Sequence, residues 1–322
     1  MKNTKISELP IIAEQERVIL FGAGHIARSY IMGLRNDVEI VAVADNDKNK
    51  HGTFICGHKV VPAEDIIHYS FDRIVITLND RLGQDTTNEG SRNVENIYEQ
   101  LTALGIDGMK ISLQYIYISA NEPRVVFVKN LSELLRGRGG DMAVAECGVF
   151  RGEFAGYINE YFFDRTLYLF DTFKGFSSDD ISEEIDILAK EWASKSTDAL
   201  RLKSGSELIA LLRCRNRDRV IVKKGQIPKS LLGCENECFA FVNLDMDLYA
   251  PTLAALRFFA PRIVSGGVIL LHDYYYQFTP GIKRAVDEFS KERNFALLPI
   301  GDDYSVAMIF TARKYSGGEN NE

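Results

Sequence analysis

Three acidic groups in this sequence have the residue types and spacing to do chemistry, and each follows a short apolar run. In the first, Ala143 to Cys147 leads into Glu146-Cys-Gly148-Val-Phe-Arg-Gly152. The glycines let the backbone pass close to a ligand, and Glu146 is placed to hold an ammonium group. Asp171, with Thr172 beside it, closes the next apolar run, Thr166 to Phe170. A carboxylate there can take two ribose hydroxyls. Acid, glycine turn, acid suits a cofactor with an amino-acid end and a nucleoside end, which is S-adenosylmethionine (SAM). A dinucleotide pyrophosphate would gain nothing from the extra negative charge at Glu146. The plain alternative is a structural turn followed by a solvated aspartate.

The second group is Asn243-Leu-Asp245-Met-Asp247, paired with the third, His272-Asp273-Tyr274. If their strands belong to one parallel sheet, both acids end at its carboxyl edge, where open α/β folds bind ligands. Asp245 and Asp273, with His272 beside them, could then hold Mg²⁺ or a similar divalent cation with positions left for substrate oxygens. Such a cation lowers the pKa of a bound hydroxyl and orients it. His272 reads equally as a ligand, an orienting residue or a core histidine. The acids could also do no more than cap helices.

A weaker pattern lies near the start. Val18 to Phe21 runs into Gly22-Ala-Gly24-His-Ile-Ala27, and Val38 to Ala44 ends at Asp45. Strand, glycine turn, helix, strand, acid is the first half of a dinucleotide-type unit. Gly22, Gly24, Ala27 and Asp45 are therefore candidates for a nucleotide or nucleotide-sugar site, against a structural or docking module with nothing bound. No Tyr-x-x-x-Lys pair occurs in residues 1–123, so dehydrogenase or epimerase chemistry using that pair has no support.

The elements that must position these residues fall into two α/β systems. Arg73 to Leu78 reads as a further strand of the first and Ser91 to Leu104 as a helix. Gly105 to Pro123 reads as the join, with Ile111 to Ile118 an alternative strand closing the first sheet. The second system opens with a helix, Arg124 to Leu135, and the glycines 137, 139 and 140. It continues with the runs already named plus Arg219 to Val222, Phe239 to Leu244 and Val268 to Leu271. These have the look of strands buried on both faces, with helices at Pro251 to Phe259 and Gly281 to Phe289. Phe295 to Pro299 and Ser305 to Phe310 predict a closing antiparallel pair, which completes a class I methyltransferase sheet. Ser177 to Ser206, with the only tryptophan, Trp192, suits a lid over the acceptor or a plain helical insertion. The tail from Ser316 is expected to fray. Two Rossmann-like domains, 1–120 and 121–322, are the prediction.

Composition narrows the class. The 322 residues carry 38 Lys+Arg against 45 Asp+Glu, a net charge of −7, which gives no global field for nucleic acid. No apolar run approaches the ~18 residues of a membrane span. Met1 to Pro10 has no hydrophobic signal core. Five cysteines, at 56, 147, 214, 234 and 238, lack zinc-type pairing. A reduced, soluble, cytoplasmic protein is expected, and a homo-oligomer is compatible with the sequence.

Over about Asp141 to Phe310 the chain resembles the macrocin O-methyltransferase (TylF/MycF-type) family. The resemblance rests on "AECGVFRG", "YLFDTFKGF", "KKGQIPKSL", "NLDMDLYAPTLAAL", "SGGVILLHDYY" and "GIKRAVDEF", which occur in the family's order. It implies SAM-dependent, Mg²⁺-assisted methyl transfer to a hydroxyl, typically of a sugar or glycoconjugate. It places Glu146, Gly148, Gly152 and Asp171 at SAM, Asp245 and Asp273 at the metal, and Asp245 nearest the acceptor. Where members often have two consecutive acids, this chain has His272-Asp273. The first half resembles Rossmann-like domains found beside sugar-modifying enzymes. Two rivals stand at this point. One is a non-catalytic protein that keeps a SAM-shaped pocket. The other is a glycosyltransferase using Asp245-Met-Asp247 as a D-x-D motif.

Overall fold

A computed structural model describes residues 15–34, 37–78, 89–114, 118–137, 142–203 and 206–310. Gly139, Gly140 and the tail from Ser316 lie outside the described residues. The chain divides into two compact units, one of residues 1–80 and 92–114 and the other of residues 81–91 and 115–322.

Among the described residues the first unit holds six strands: β1 (Glu16–Phe21), β2 (Val38–Ala44), β3 (Phe54–Ile55), β4 (His58–Val61), β5 (Arg73–Ile76) and β6 (Ile111–Leu113). Their order is β3-β4-β2-β1-β5-β6, parallel except for the β3–β4 hairpin. Ile111–Leu113 pairs with Arg73–Ile76, so this part of the expected join is a strand of the first sheet. Val18, Ile19 and Leu20 are fully buried, as a central parallel strand covered on both faces must be. Helix α1 (His25–Met32) follows the glycine turn, and α2 (Glu89–Ala103) begins two residues earlier than the periodicity suggests. The β3–β4 hairpin was not legible as a pair. Its two-residue turn, Cys56-Gly57, has both φ angles positive, as tight hairpins require.

The second unit contains β7 (Ala143–Cys147), β8 (Leu167–Asp171), β9 (Val220–Lys224), β10 (Phe239–Leu244), β11 (Ile263–Leu271), β12 (Ala296–Pro299) and β13 (Val306–Ile309). Their order is β12-β13-β11-β10-β7-β8-β9, with only β13 reversed against its neighbours. Five parallel strands closed by an antiparallel pair is the class I methyltransferase sheet that the sequence predicted. Helices α3 (Pro123–Leu135), α4 (Glu153–Tyr161), α5 (Ser178–Ser182), α6 (Ile187–Lys203), α7 (Glu207–Arg213), α8 (Tyr249–Phe259) and α9 (Pro280–Phe289) surround it. Three of them, α5, α6 and α7, lie between β8 and β9.

Register matters most for the site. Phe170, Cys147, Leu244 and Leu271 lie side by side across β8, β7, β10 and β11. The residue after each is Asp171, Gly148, Asp245 and His272. Hydrogen-bonded pairing alone therefore lines the candidate residues along one sheet edge.

Candidate active site

That edge opens into a cavity of about 490 Å³. Glu146, Gly148, Asp171, Thr172, Asp245 and Asp273 line it, as do Arg124 and Asp247. Gly152 and His272 are not among its lining residues. Phe176, Ser177 and Asp180, around the start of the insertion, also line it.

Glu146 is buried, and its Oε1 accepts a 3.2 Å hydrogen bond from Asn243 Nδ2. Its Oε2 has no partner. Burial and the nearby Asp245 push this carboxyl well above the usual range, against the pull of Arg124. A positively charged ligand group is what would restore the carboxylate, so this orphaned oxygen fits the ammonium end of SAM.

Asp171 is already engaged. Its Oδ2 accepts from the N–H groups of Val149 (2.6 Å) and Phe150 (2.8 Å), and Oδ1 from Phe173 (2.6 Å). Burial outweighs these bonds and raises its pKa. The aspartate thus pins the glycine turn as well as facing the cavity. The Thr172 backbone N–H bears on the same carboxylate.

The two glycines serve chain packing in a way the motif alone did not reveal. A Cβ on Gly148, where φ is +84°, would lie 1.9 Å from the carbonyl oxygen of Asp245. A Cβ on Gly152, where φ is +75°, would lie 2.6 Å from Cα of Ala210 in α7. The first lets β7 and β10 converge at the cavity, and the second seats α4 against α7. A buried ion pair, Arg213 to Glu153 at 3.2 Å, joins the same two helices.

Asp245, His272 and Asp273 come together as the sequence predicted. Among the described residues they form a group whose ligand atoms lie within 4.8 Å of one another. His272 Nδ1 is 3.0 Å from Asp245 Oδ1 and 3.1 Å from Asp273 Oδ1. Burial alone would lower the His272 pKa, but Asp245 and then Asp273 pull it up to about 10. Burial would likewise raise Asp245, yet His272 and Arg124 hold it below its usual value. Two hard carboxylates and an imidazole suit a divalent cation once the imidazole proton has left.

Two participants escaped the sequence reading. Arg124, in the first turn of α3, donates from Nη1 to Asp245 Oδ2 at 3.2 Å and from Nε to Glu122, with its guanidinium 4.8 Å over the Phe154 ring. Its 121-residue separation from Asp245 leaves no local signal. Asp247 has no metal or catalytic role in the sequence reading beyond the D-x-D motif. It is left-handed (φ +64°), and burial with Asp245 and Asp273 raises its pKa well above normal.

In the first unit, Gly22, Gly24, Ala27 and Asp45 meet at the carboxyl ends of β1 and β2. There Asp45 Oδ2 accepts from Ala23 N (2.7 Å) and Lys50 Nζ (2.8 Å), and Oδ1 from Asp47 N (2.8 Å). A Cβ on Gly22 would meet Leu78 and the Thr77 carbonyl, while Gly24 faces open space. Ala27 is buried in the core beneath.

No described helix is long and apolar enough to cross a membrane. No curated protein matches the sequence significantly. Among solved structures, the O-methyltransferase NovP is similar at 24% identity and a TM-score of 0.50, over 59% of this chain and 80% of that one. CalS11, a calicheamicin methyltransferase, aligns at 18% identity and a TM-score of 0.45, over 71% and 98%. Residues 14–112 match the family described as C2185-like, N-terminal. Residues 122–303, more than half of the chain, match Macrocin-O-methyltransferase (TylF), which sets aside the binding-protein and glycosyltransferase readings. The chain belongs to the macrocin-O-methyltransferase (TylF) family and is a SAM-dependent O-methyltransferase.

Proposed function

We propose that the protein methylates a hydroxyl of a sugar or glycoconjugate, with a divalent cation held by Asp245, His272 and Asp273. The observation that carries this reading is the convergence of those three side chains on one another, two of them, Asp245 and Asp273, lining the cavity that the Glu146 carboxylate with its unpartnered oxygen also lines. The family resemblance supports a sugar as acceptor. SAM supplies an electrophilic methyl group, and the cation a charge that acidifies and orients the acceptor hydroxyl. Glu146 receives the ammonium end and Asp171 the ribose. Asp245, held ionised at neutral pH by His272 and Arg124, would take the proton of the acceptor hydroxyl. Phe176 and its neighbours exclude water from the reacting groups.

For the first unit, the capture of both Asp45 oxygens by its own loop and Lys50 supports a structural role for the glycine turn over a ribose site. The methyl-transfer reading is tested with a panel of nucleotide-linked and free sugars, following S-adenosylhomocysteine release with Mg²⁺ or with chelator. Removing the Asp245 or the Asp273 carboxylate should leave SAM binding nearly intact and cut turnover by roughly 10²-fold or more. Full-rate methylation in chelator would refute the metal role.

A further inference from the structure

Helices α8 and α9 begin a few residues after the two acid turns, and neither has a side-chain cap of its own. The side chains at the N-cap positions, Leu248 and Thr279, accept no hydrogen bond from the first-turn N–H groups. At the start of each helix stands the same outside carboxylate, that of Glu184. It is only 3% exposed and lies between α5 and α6 of the insertion. Its Oε1 accepts from the Tyr249 N–H at 2.6 Å, the first residue of α8. Against α9 the fit is steric as well as electrostatic. A Cβ on Gly281 would lie 2.6 Å from both Glu184 oxygens, so glycine is what lets the carboxylate reach the helix start. One negative charge thus faces the positive ends of two helix dipoles. Arg284 of α9 completes the junction, stacking 3.4 Å over the Tyr249 ring and donating to the carbonyl of the adjacent Glu183.

Each helix start is in turn fixed to an acid. Leu248 N–H bonds the Met246 carbonyl at 2.7 Å, closing the turn that holds Asp247. Thr279 Oγ1 donates to the Asp273 carbonyl at 3.0 Å. Asp247 and Asp273 both sit at positive φ, a conformation that holds only where the surroundings enforce it. We propose that Glu184 is a positioning residue for methyl transfer. It ties the helical insertion to the starts of α8 and α9 and so holds the two acid turns at their working separation. The proposal rests on the reading above that the acid cluster is the reacting centre.

The test compares wild type with Glu184→Ala, Glu184→Gln, which keeps an acceptor for Tyr249, and Gly281→Ala, which displaces the carboxylate without removing it. Trp192, the only tryptophan, packs between Phe176 and Tyr276 and reports by emission whether the insertion stays docked. Amide exchange reports the acid turns, and calorimetry with Mn²⁺ reports their separation. Glu184→Ala and Gly281→Ala should speed exchange in residues 245–252 and 272–284 by about tenfold or more. They should also weaken Mn²⁺ binding roughly tenfold and shift Trp192 emission, with Glu184→Gln recovering much of each effect. Faster exchange confined to residues 178–203, with Mn²⁺ affinity as in wild type, would mean that Glu184 serves the insertion alone and overturns the proposal. If wild type binds no Mn²⁺, the metal reading fails and the exchange pattern decides this one by itself. Should Glu184→Ala not fold, the other two variants carry the same comparison.

Discussion

Metal affinity should depend steeply on pH through a single side chain. Without a cation, the His272 ring nitrogen lies about equally far from Asp245 and Asp273, and its pKa stands at about 10. At pH 7 the ring is therefore protonated, and an imidazolium cannot ligate. A cation must first expel that proton. Three pH units at about 1.4 kcal/mol each make this roughly 4 kcal/mol of affinity forfeited at pH 7. The sign follows directly: affinity rises by up to about tenfold per pH unit from 7 towards 10, then levels off. His272→Asp removes the proton to be displaced and should flatten the His-dependent part of that slope while keeping a cation site. Mn²⁺ calorimetry in buffers of different ionisation enthalpy measures protons released per cation bound. Equal proton release from wild type and His272→Asp near pH 8 would refute the assignment of His272 as a ligand.

Other outcomes follow from the same geometry. Asp171→Ala should weaken SAM binding by about 1–3 kcal/mol in calorimetry, through lost charge-assisted bonds and a freed glycine turn. Gly148→Ala should cost about 3 kcal/mol or more of stability in thermal melts, because its methyl group would meet the Asp245 carbonyl. Asp45→Ala should destabilise the first unit by about 1–3 kcal/mol, seen as faster amide exchange over residues 16–61, and nucleotides should give that region no protection.

Strands were legible wherever burial on both faces leaves a run of apolar residues ending at an acid or glycine. Val18 to Phe21 and Phe239 to Leu244 are such runs. The short β3 and β6 were harder, since two or three residues carry no periodicity and are defined only by their partners. In the site, the acids could be found because strand ends share an edge and their residue types are unusual there. Arg124 could not be, since an arginine in a first helical turn looks like any surface cation until folding places it on Asp245. Gly148 and Gly152 were recognised as necessary, but the approaching atoms belong to Asp245 and Ala210, whose proximity is set by long-range packing. Asp45 fitted the nucleotide pattern, yet Lys50, five residues away, holds its carboxylate in the fold.

The side-by-side alignment of Phe170, Cys147, Leu244 and Leu271 also acts as a ruler. Adjacent strands are about 4.8 Å apart, so the backbones of Asp171 and Asp245, two strands removed, are separated by roughly 10 Å whatever side chains surround them. That interval belongs to the hydrogen-bonded lattice, and point substitutions cannot stretch it. The backbone gap from Asp171 to Asp245 therefore stays constant while the side chains around it vary.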